Sequence, residues 1–522
     1  MFCIVIVILS GRSGLRSLLL LPEVQLLAIL VLALATRIAV LLSLARFPWF
    51  SYPLAADASV YDSMARAFAR GDYLIGTEPL RMSPAYPFLA GAVYRLLGDG
   101  PWAIRCVQAV FGLILVAATW DTARRLLNPT AAAVAGVAVA LFGPLLFHEA
   151  QILADAPAAA LAAVALWATI RAMVRGEERP SRWTLVGLVT GVVGLFRPNA
   201  VLLVVPLLVG SLWTRPGRNR GWRVGAALIG FLLGLSPTPV RNVLATGHPT
   251  LFAAHGGINL YVGNGPGATG SFNVPAEMPQ ANAPRSQFAV FHEVAERDLG
   301  RPLSEEAADR YWTDRTLAYV SEHPMQWIRL AMVKVRLFWT SSSISDMVHY
   351  QFTRTLDPVL RLPLIQWSVL MPFALVGTLL ALRRPGPGAV VGLFNLAWCA
   401  SLVIVFVVDR YRLPALSGLA IAAVLVVWEF PETWAVASRA GKTGLLVLVA
   451  VCLWMVRPVV GRDGDQGMEW WRLGTEFEYA GRFEEARAAY SRSLQIAPGN
   501  EFARARLKAL GGPDTRPSKA LH

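Results

Sequence analysis

Residues 55–89 read AADASVYDSMARAFARGDYLIGTEPLRMSPAYPFL, a polar stretch set between two apolar runs, and its place relative to them decides the fold. If the flanking runs cross a bilayer, the stretch sits just outside the first pair. Asp57, Glu78 and Arg81 then lie beside the lipid surface, where ionisable groups are kept for a task. Asp57 and Tyr61 are four residues apart and share one face of a helix. Ala58, Met64, Ala65 and Phe68 continue a short amphipathic pattern that ends at Gly71. A turn-rich run leads to Pro84. YPFLAGAVYRLLG then reads as a second interfacial helix, whose Tyr86, Tyr94 and Arg95 suit a headgroup boundary.

Composition agrees with a membrane setting. Of 522 residues 55% are hydrophobic and only 16% charged, and the mean hydropathy is +0.48, which excludes an ordinary soluble globule. The net charge of +14 comes from short basic clusters between apolar runs, so it points to orientation in a membrane and not to nucleic acid. Cys3, Cys106, Cys399 and Cys452 all lie inside apolar runs and read as small core residues, not as a disulfide framework. The N-terminal apolar run is too short to span and lacks a basic region before it, so no cleavable signal is expected.

Spans of about 20 apolar residues are expected near 24–45, 102–123, 130–147, 156–174, 183–197, 199–214, 222–240, 362–382, 388–408, 413–430 and 443–457. That makes an all-α polytopic protein with about eleven transmembrane helices. Arg124 and Arg125, Arg171 to Arg182, Arg215 to Arg223, Arg383 and Arg384, and Arg439 with Lys442 all fall in alternate turns. These turns are therefore cytoplasmic and Asp57 is external. Residues 1–460 form the membrane domain, with a first external loop at 46–101 and a large one at 241–361.

The large loop opens on HGGINLYVGNGPGATGSFNVP, whose glycines and asparagines suit turns and close approach to a ligand. Tyr261 and Asn264 are its pocket candidates. A helix is expected from Ser304, as N-cap, to Val320, and an interfacial helix through HPMQWIRLAMVKVRLFWTS, with Lys334 at headgroup level. The soluble tail, residues 469–510, resembles one tetratricopeptide repeat through Leu473, Gly474, Tyr479, Gly481, Phe483, Ala486, Tyr490, Leu494 and Pro498. A lone repeat buries little of its own face, so it packs on the membrane domain, pairs with another protein or is a remnant. Odd span parity puts it outside the cytoplasm.

Asp57 can accept a proton from an acceptor hydroxyl, as general-base catalysis requires; the competing account is a helix N-cap. Asp155 and Glu149 lie on the same external side, and Asp155-Ala156-Pro157 is also a good helix start. Positive charge able to hold a phosphate is offered on the external side by Arg81, Arg197, Lys334, Arg410 and Arg412. Arg410 and Arg412 stand out because two arginines in one short external turn break the charge pattern of the other short turns. Tyr61, Glu78, Glu149, Tyr261 and Asn264 are the remaining pocket candidates. His148-Glu149 has no H-E-x-x-H partner, so no metal and no cofactor is expected; a divalent cation on His148, Glu149 and Asp155 is the minor alternative.

Asp57 with Tyr61, Arg66, the step Gly71-Asp72-Tyr73 and the stretch Pro84–Pro87 resemble the GT-C glycosyltransferases of family 39, the protein mannosyltransferase and aminoarabinose transferase-like group. The resemblance implies a polyprenyl-phosphate sugar donor, inversion at the anomeric carbon, and Asp57 as catalytic base with Asp155 as a second acidic group. It also implies a glycan, lipid or protein acceptor met on the external face of a bacterial inner membrane. Ala58 stands where the family often has a second acidic residue. A transporter or lipid flippase is the alternative, but paired midplane polar groups are lacking; an envelope assembly factor working through the tail is another.

Overall fold

A computed structural model describes residues 21–52, 56–77, 80, 82–214, 219–247, 255–275, 278, 287–346, 349–383, 385–459 and 466–511. Among them the chain is helical throughout, with no strand and one bridge of sheet type, Phe142 to Ile365. Six helices are long and apolar enough to cross a membrane: Pro22–Leu44, Ala103–Leu126, Asp155–Val174, Arg220–Thr246, Pro387–Ile404 and Asp409–Pro431. The chain is an all-α, multi-pass membrane protein. The remaining apolar runs also form helix, but Pro129–Ala140, Pro180–Phe196, Pro198–Trp213, Trp367–Leu382 and Arg439–Met455 are shorter.

Breaks in the apolar runs shape the site. The expected span 130–147 stops at Ala140, and a separate helix Gly143–Glu149 begins at Gly143-Pro144. Backbone groups freed at the break are paired: Gly143 N donates to Ile365 O and Ile365 N to Leu141 O, each at 2.9 Å. Helix Pro180–Phe196 ends where Pro198 forces Arg197 into extended backbone (φ −144°, ψ 101°), before the 3-10 turn Pro198–Leu203. Helices Pro180–Phe196 and Arg220–Leu235 pack backbone to backbone, since a Cβ at Gly187, Gly191, Gly230 or Gly234 would overlap the facing main chain.

In the large external segment Ser304 caps helix Glu305–Glu322, its Oγ accepting from Ala307 N at 3.2 Å, as the sequence suggests. The glycine-rich opening differs from expectation, because Gly256–Asn264 is helix. Gly257 and Gly263 let that helix lie directly on the backbones of Asp309 and Val405, so its glycines serve packing and not turns. Tyr261 is fully buried against Trp312, with ring centroids 4.6 Å apart. Helix Pro324–Trp339 forms, yet Lys334 is buried and not at a headgroup boundary.

The tail folds as helices Gln466–Tyr479, Phe483–Ile496 and Glu501–Ala509 around Ala486, Tyr490, Leu494, Ala503 and Leu507. Gly474 is needed there, because a Cβ would run into the Tyr490 ring. The first tail helix docks on the membrane domain: Leu473 shares a core with Phe47, Trp49, Phe147, Tyr350 and Leu360.

Candidate active site

A cleft lies where helix Ala56–Ala69, the Arg197 break, helix Gly256–Asn264 and the turn before helix Leu416–Val436 meet. Asp57, Tyr61, Ser83, Arg197, Asn199, His255, Asn259, Asp346, Arg410 and Tyr411 line it, with Phe272 and Phe406 as apolar wall. Its empty volume, counted to the open mouth, is about 1130 Å³.

Arg410 is the centre of the arrangement. Its Nη2 lies 2.7 Å from Asp57 Oδ2 and 2.7 Å from Asp346 Oδ2, and its Nε donates to the same Asp346 oxygen at 2.7 Å. Asp57 sits in the first turn of helix Ala56–Ala69 and directs its carboxylate to Arg410. A guanidinium shared between two carboxylates fixes their separation. The second cation, Arg197, is paired with the fully buried Asp155 and stacks 4.2 Å over the Tyr411 ring; Arg410 lies 5.2 Å from that ring on its own account. Tyr61 bonds Ser83, and burial pushes its hydroxyl up to about 12, so it is a neutral phenol at physiological pH.

Asp57, Tyr61, Arg197 and Arg410 therefore come together as the sequence suggests, and Asp155 stands behind Arg197. Several other candidates do not line the cleft. Arg412 is fully buried, bonds Phe338 O, Thr340 O and Ser342 O, and pairs with Asp409. Asp409 in turn accepts from Ile344 N at 2.9 Å and from Ser343. These two side chains hold the segment leading to Asp346. Lys334 donates to Asn264 Oδ1 (2.6 Å) and Val403 O (3.0 Å), and burial lowers its ammonium to about 7. Asn264 is thereby spent on joining two helices, and Tyr261 on the core. Glu149 pairs with Arg37 at 2.8 Å, where only a glycine at 112 leaves room.

Glu149 and Asp155 thus face different arginines, and both ring nitrogens of His148 lack a partner among the described residues. Among those residues no three His, Cys, Asp or Glu side chains converge as metal ligands would. Glu78 and Arg81 lie outside the described residues.

Asp346, His255 and Asn259 are site residues that the sequence did not single out. Asp346 ends the polar run Ser341-Ser342-Ser343-Ile344-Ser345-Asp346 just after Trp339, and that run was the available signal.

Residues 79–240 match the family model for dolichyl-phosphate-mannose-protein mannosyltransferases. The matched region holds Asp155 and Arg197; it begins after Asp57 and ends before Asp346 and Arg410. No curated protein sequence matches the chain. Among solved structures it is similar to the Archaeoglobus fulgidus oligosaccharyltransferase tethered to an acceptor peptide containing the NVT sequon. That pair is 11% identical with a TM-score of 0.44, over 90% of this chain and 58% of that one. It is also similar to the archaeal oligosaccharyltransferase AglB from the same organism, in complex with an inhibitory peptide and a dolichol-phosphate (13%, TM-score 0.42, 88% and 59%). A third similar structure is ArnT from Cupriavidus metallidurans bound to undecaprenyl phosphate (16%, TM-score 0.35, 85% and 90%). The chain thus spans 58% and 59% of the two oligosaccharyltransferase chains.

Proposed function

We propose that this chain is a membrane glycosyltransferase that moves a sugar from a polyprenyl-phosphate donor to an acceptor hydroxyl or amine, with inversion, at the external face of a bacterial inner membrane. The observation that carries the proposal is the cleft in which Asp57 and Asp346 share Arg410 while Arg197 stands opposite on Asp155. The family match over 79–240 supports the same class.

Asp57 takes the proton of the acceptor as its oxygen or nitrogen bonds to the anomeric carbon. The bond from that carbon to the phosphate oxygen breaks, and the electron pair leaves with the polyprenyl phosphate. Arg197 and Arg410 neutralise the charge that develops on this leaving group. Asp155 keeps Arg197 in place, and Asp346 keeps Arg410 in place. The lipid tail never has to leave the membrane.

The test incubates the purified chain in detergent with labelled undecaprenyl-phosphate sugars and measures released undecaprenyl phosphate. Asp57→Asn is expected to express, melt and bind undecaprenyl phosphate as the wild type does while losing turnover by about a hundredfold or more, the usual effect of removing a general base. Asparagine caps a helix about as well as aspartate, so near-normal turnover by this variant refutes the assignment.

A further inference from the structure

Besides the core around Leu473, the tail helices touch the membrane domain just after Asp346, at His349 and Phe352, and on the run before Asp57, at Arg46 and Tyr52. On the Asp346 side, the imidazole of His349 has Nε2 3.0 Å from Glu469 Oε1 and also bonds the backbone of Asp346. Beside it, Trp470 meets Phe352 edge-on with ring centroids 5.3 Å apart. The connector from the last apolar helix to the tail continues this attachment. Ser341 N donates to Val456 O at 2.8 Å, Thr340 Oγ1 to Arg457 O at 3.1 Å, and Val459 N to Ser342 Oγ at 2.9 Å. On the Asp57 side, Arg482 donates to Arg46 O at 2.8 Å, and Tyr479 packs edge-on against Tyr52 at 5.6 Å.

We infer that the C-terminal helical unit is a positioning element of the active site. It clamps the segments that carry Asp57 and Asp346, and so sets how Arg410 is presented to the donor phosphate. This rests on the transferase assignment above. Arg412 and Asp409 fix the near end of the Asp346 segment from the core, while its far end is held from the tail through His349 and Glu469 and from the membrane domain through the buried Tyr350. Asp346 touches no substrate in this scheme. It acts through Arg410, and His349 acts through Asp346, so error at the tail contact reaches the reacting atoms in two steps. A displacement of one ångström at a group that orients the reaction is enough to cost a large part of the rate.

The full-length chain in lipid nanodiscs provides the test, with His349→Phe (ring kept, hydrogen bonds lost), His349→Gln (polar partner kept) and Tyr479→Ala (a mostly exposed ring removed). The substrate is the undecaprenyl-phosphate sugar that the wild type consumes. His349→Phe and Tyr479→Ala are expected to lower kcat by about tenfold with KM changed less than about twofold and to keep the wild-type melting temperature, and His349→Phe is expected to speed amide exchange over 341–346. His349→Gln is expected to recover most of the rate, a rescue that a general loss of stability does not give. Wild-type kcat in Tyr479→Ala and His349→Phe, or faster exchange over 341–346 without loss of rate, overturns the inference. If Asp57→Asn is inactive while the tail variants work normally, only this inference falls; an active Asp57→Asn chain brings down the transferase assignment and this inference with it.

Discussion

Arg410 and Arg412 show what two positions can mean in one four-residue turn. The sequence offers them as a pair, yet each helical residue turns the side chain by about 100°, so residues two apart face nearly opposite ways. Arg410 faces the cleft and Arg412 faces the core. Substitution should therefore separate them. Arg410→Ala is expected to lower turnover about ten- to a hundredfold, the loss of one or two charge-assisted bonds. Arg412→Ala leaves Asp409 buried without its cation and three carbonyls without a donor, a defect that costs about 3–5 kcal/mol. It should show as a lower melting temperature in detergent and a poor yield. Equal melting temperatures for the two variants contradict this division. Asp57 and Tyr61 were legible because they share one helix face in a polar stretch between apolar runs, and Arg197 because it interrupts such a run. Asp346 was not, since it reaches Arg410 across 64 residues through contacts that leave no periodic trace in the sequence.

At the scale of elements, proline placement explains most of what the sequence revealed and part of what it hid. Arg197 enters the cleft because Pro198 ends one helix and bends its predecessor outward. Ser304 capped the helix expected of it. The helix Gly256–Asn264 was hidden, because glycines that allow close packing and glycines that allow turns are the same letter. The first tail helix carries a pH dependence of its own. Glu476 shares a crevice with His349, Glu469 and Arg472, and its carboxyl is raised to about 8 by burial and then by Glu469, with Arg472 opposing. A raised folded value means the folded tail holds a proton that the unfolded one releases. Its contribution to stability is full below the ordinary carboxyl range near 4.5 and is lost as pH rises through about 8. Protease resistance of the tail in the intact protein should therefore be higher at pH 5.5 than at pH 8.5, and Glu476→Gln should flatten the difference. An unchanged slope in that variant assigns the effect to another group.

For the whole molecule, the arginine clusters and the contacts agree on which elements share a side. Asp57, Asp346 and the docked tail stand at one end of the bundle, because the tail touches Arg46, Tyr52 and His349. We propose that this end is external, as basic turns in the cytoplasm require. In a chain stripped of its native cysteines, single cysteines at positions 265 and 504 should react with an impermeant thiol reagent in intact spheroplasts. One at 383 should react only after the membrane is opened. Labelling in the reverse order overturns the orientation. The number of crossings is hard to read from the sequence, because apolar runs broken at Ala140 and Leu235 look continuous to a hydropathy count.

The whole chain carries a net charge of +14, but the cleft does not share it. Its two guanidiniums, Arg197 and Arg410, face two lining carboxylates, Asp57 and Asp346, and Asp155 stands behind them. Two guanidiniums against three carboxylates leave the pocket without a positive excess, so it has nothing with which to draw in a dissolved anion from a distance. A phosphate gains there only at close range, by exchanging places with water on the guanidiniums. Such exchange favours a ligand already confined to the plane of the membrane, where its effective concentration is high and diffusion runs in two dimensions. Capture of a lipid-borne phosphate by this chain should depend little on ionic strength, and water-soluble sugar phosphates should compete poorly for it.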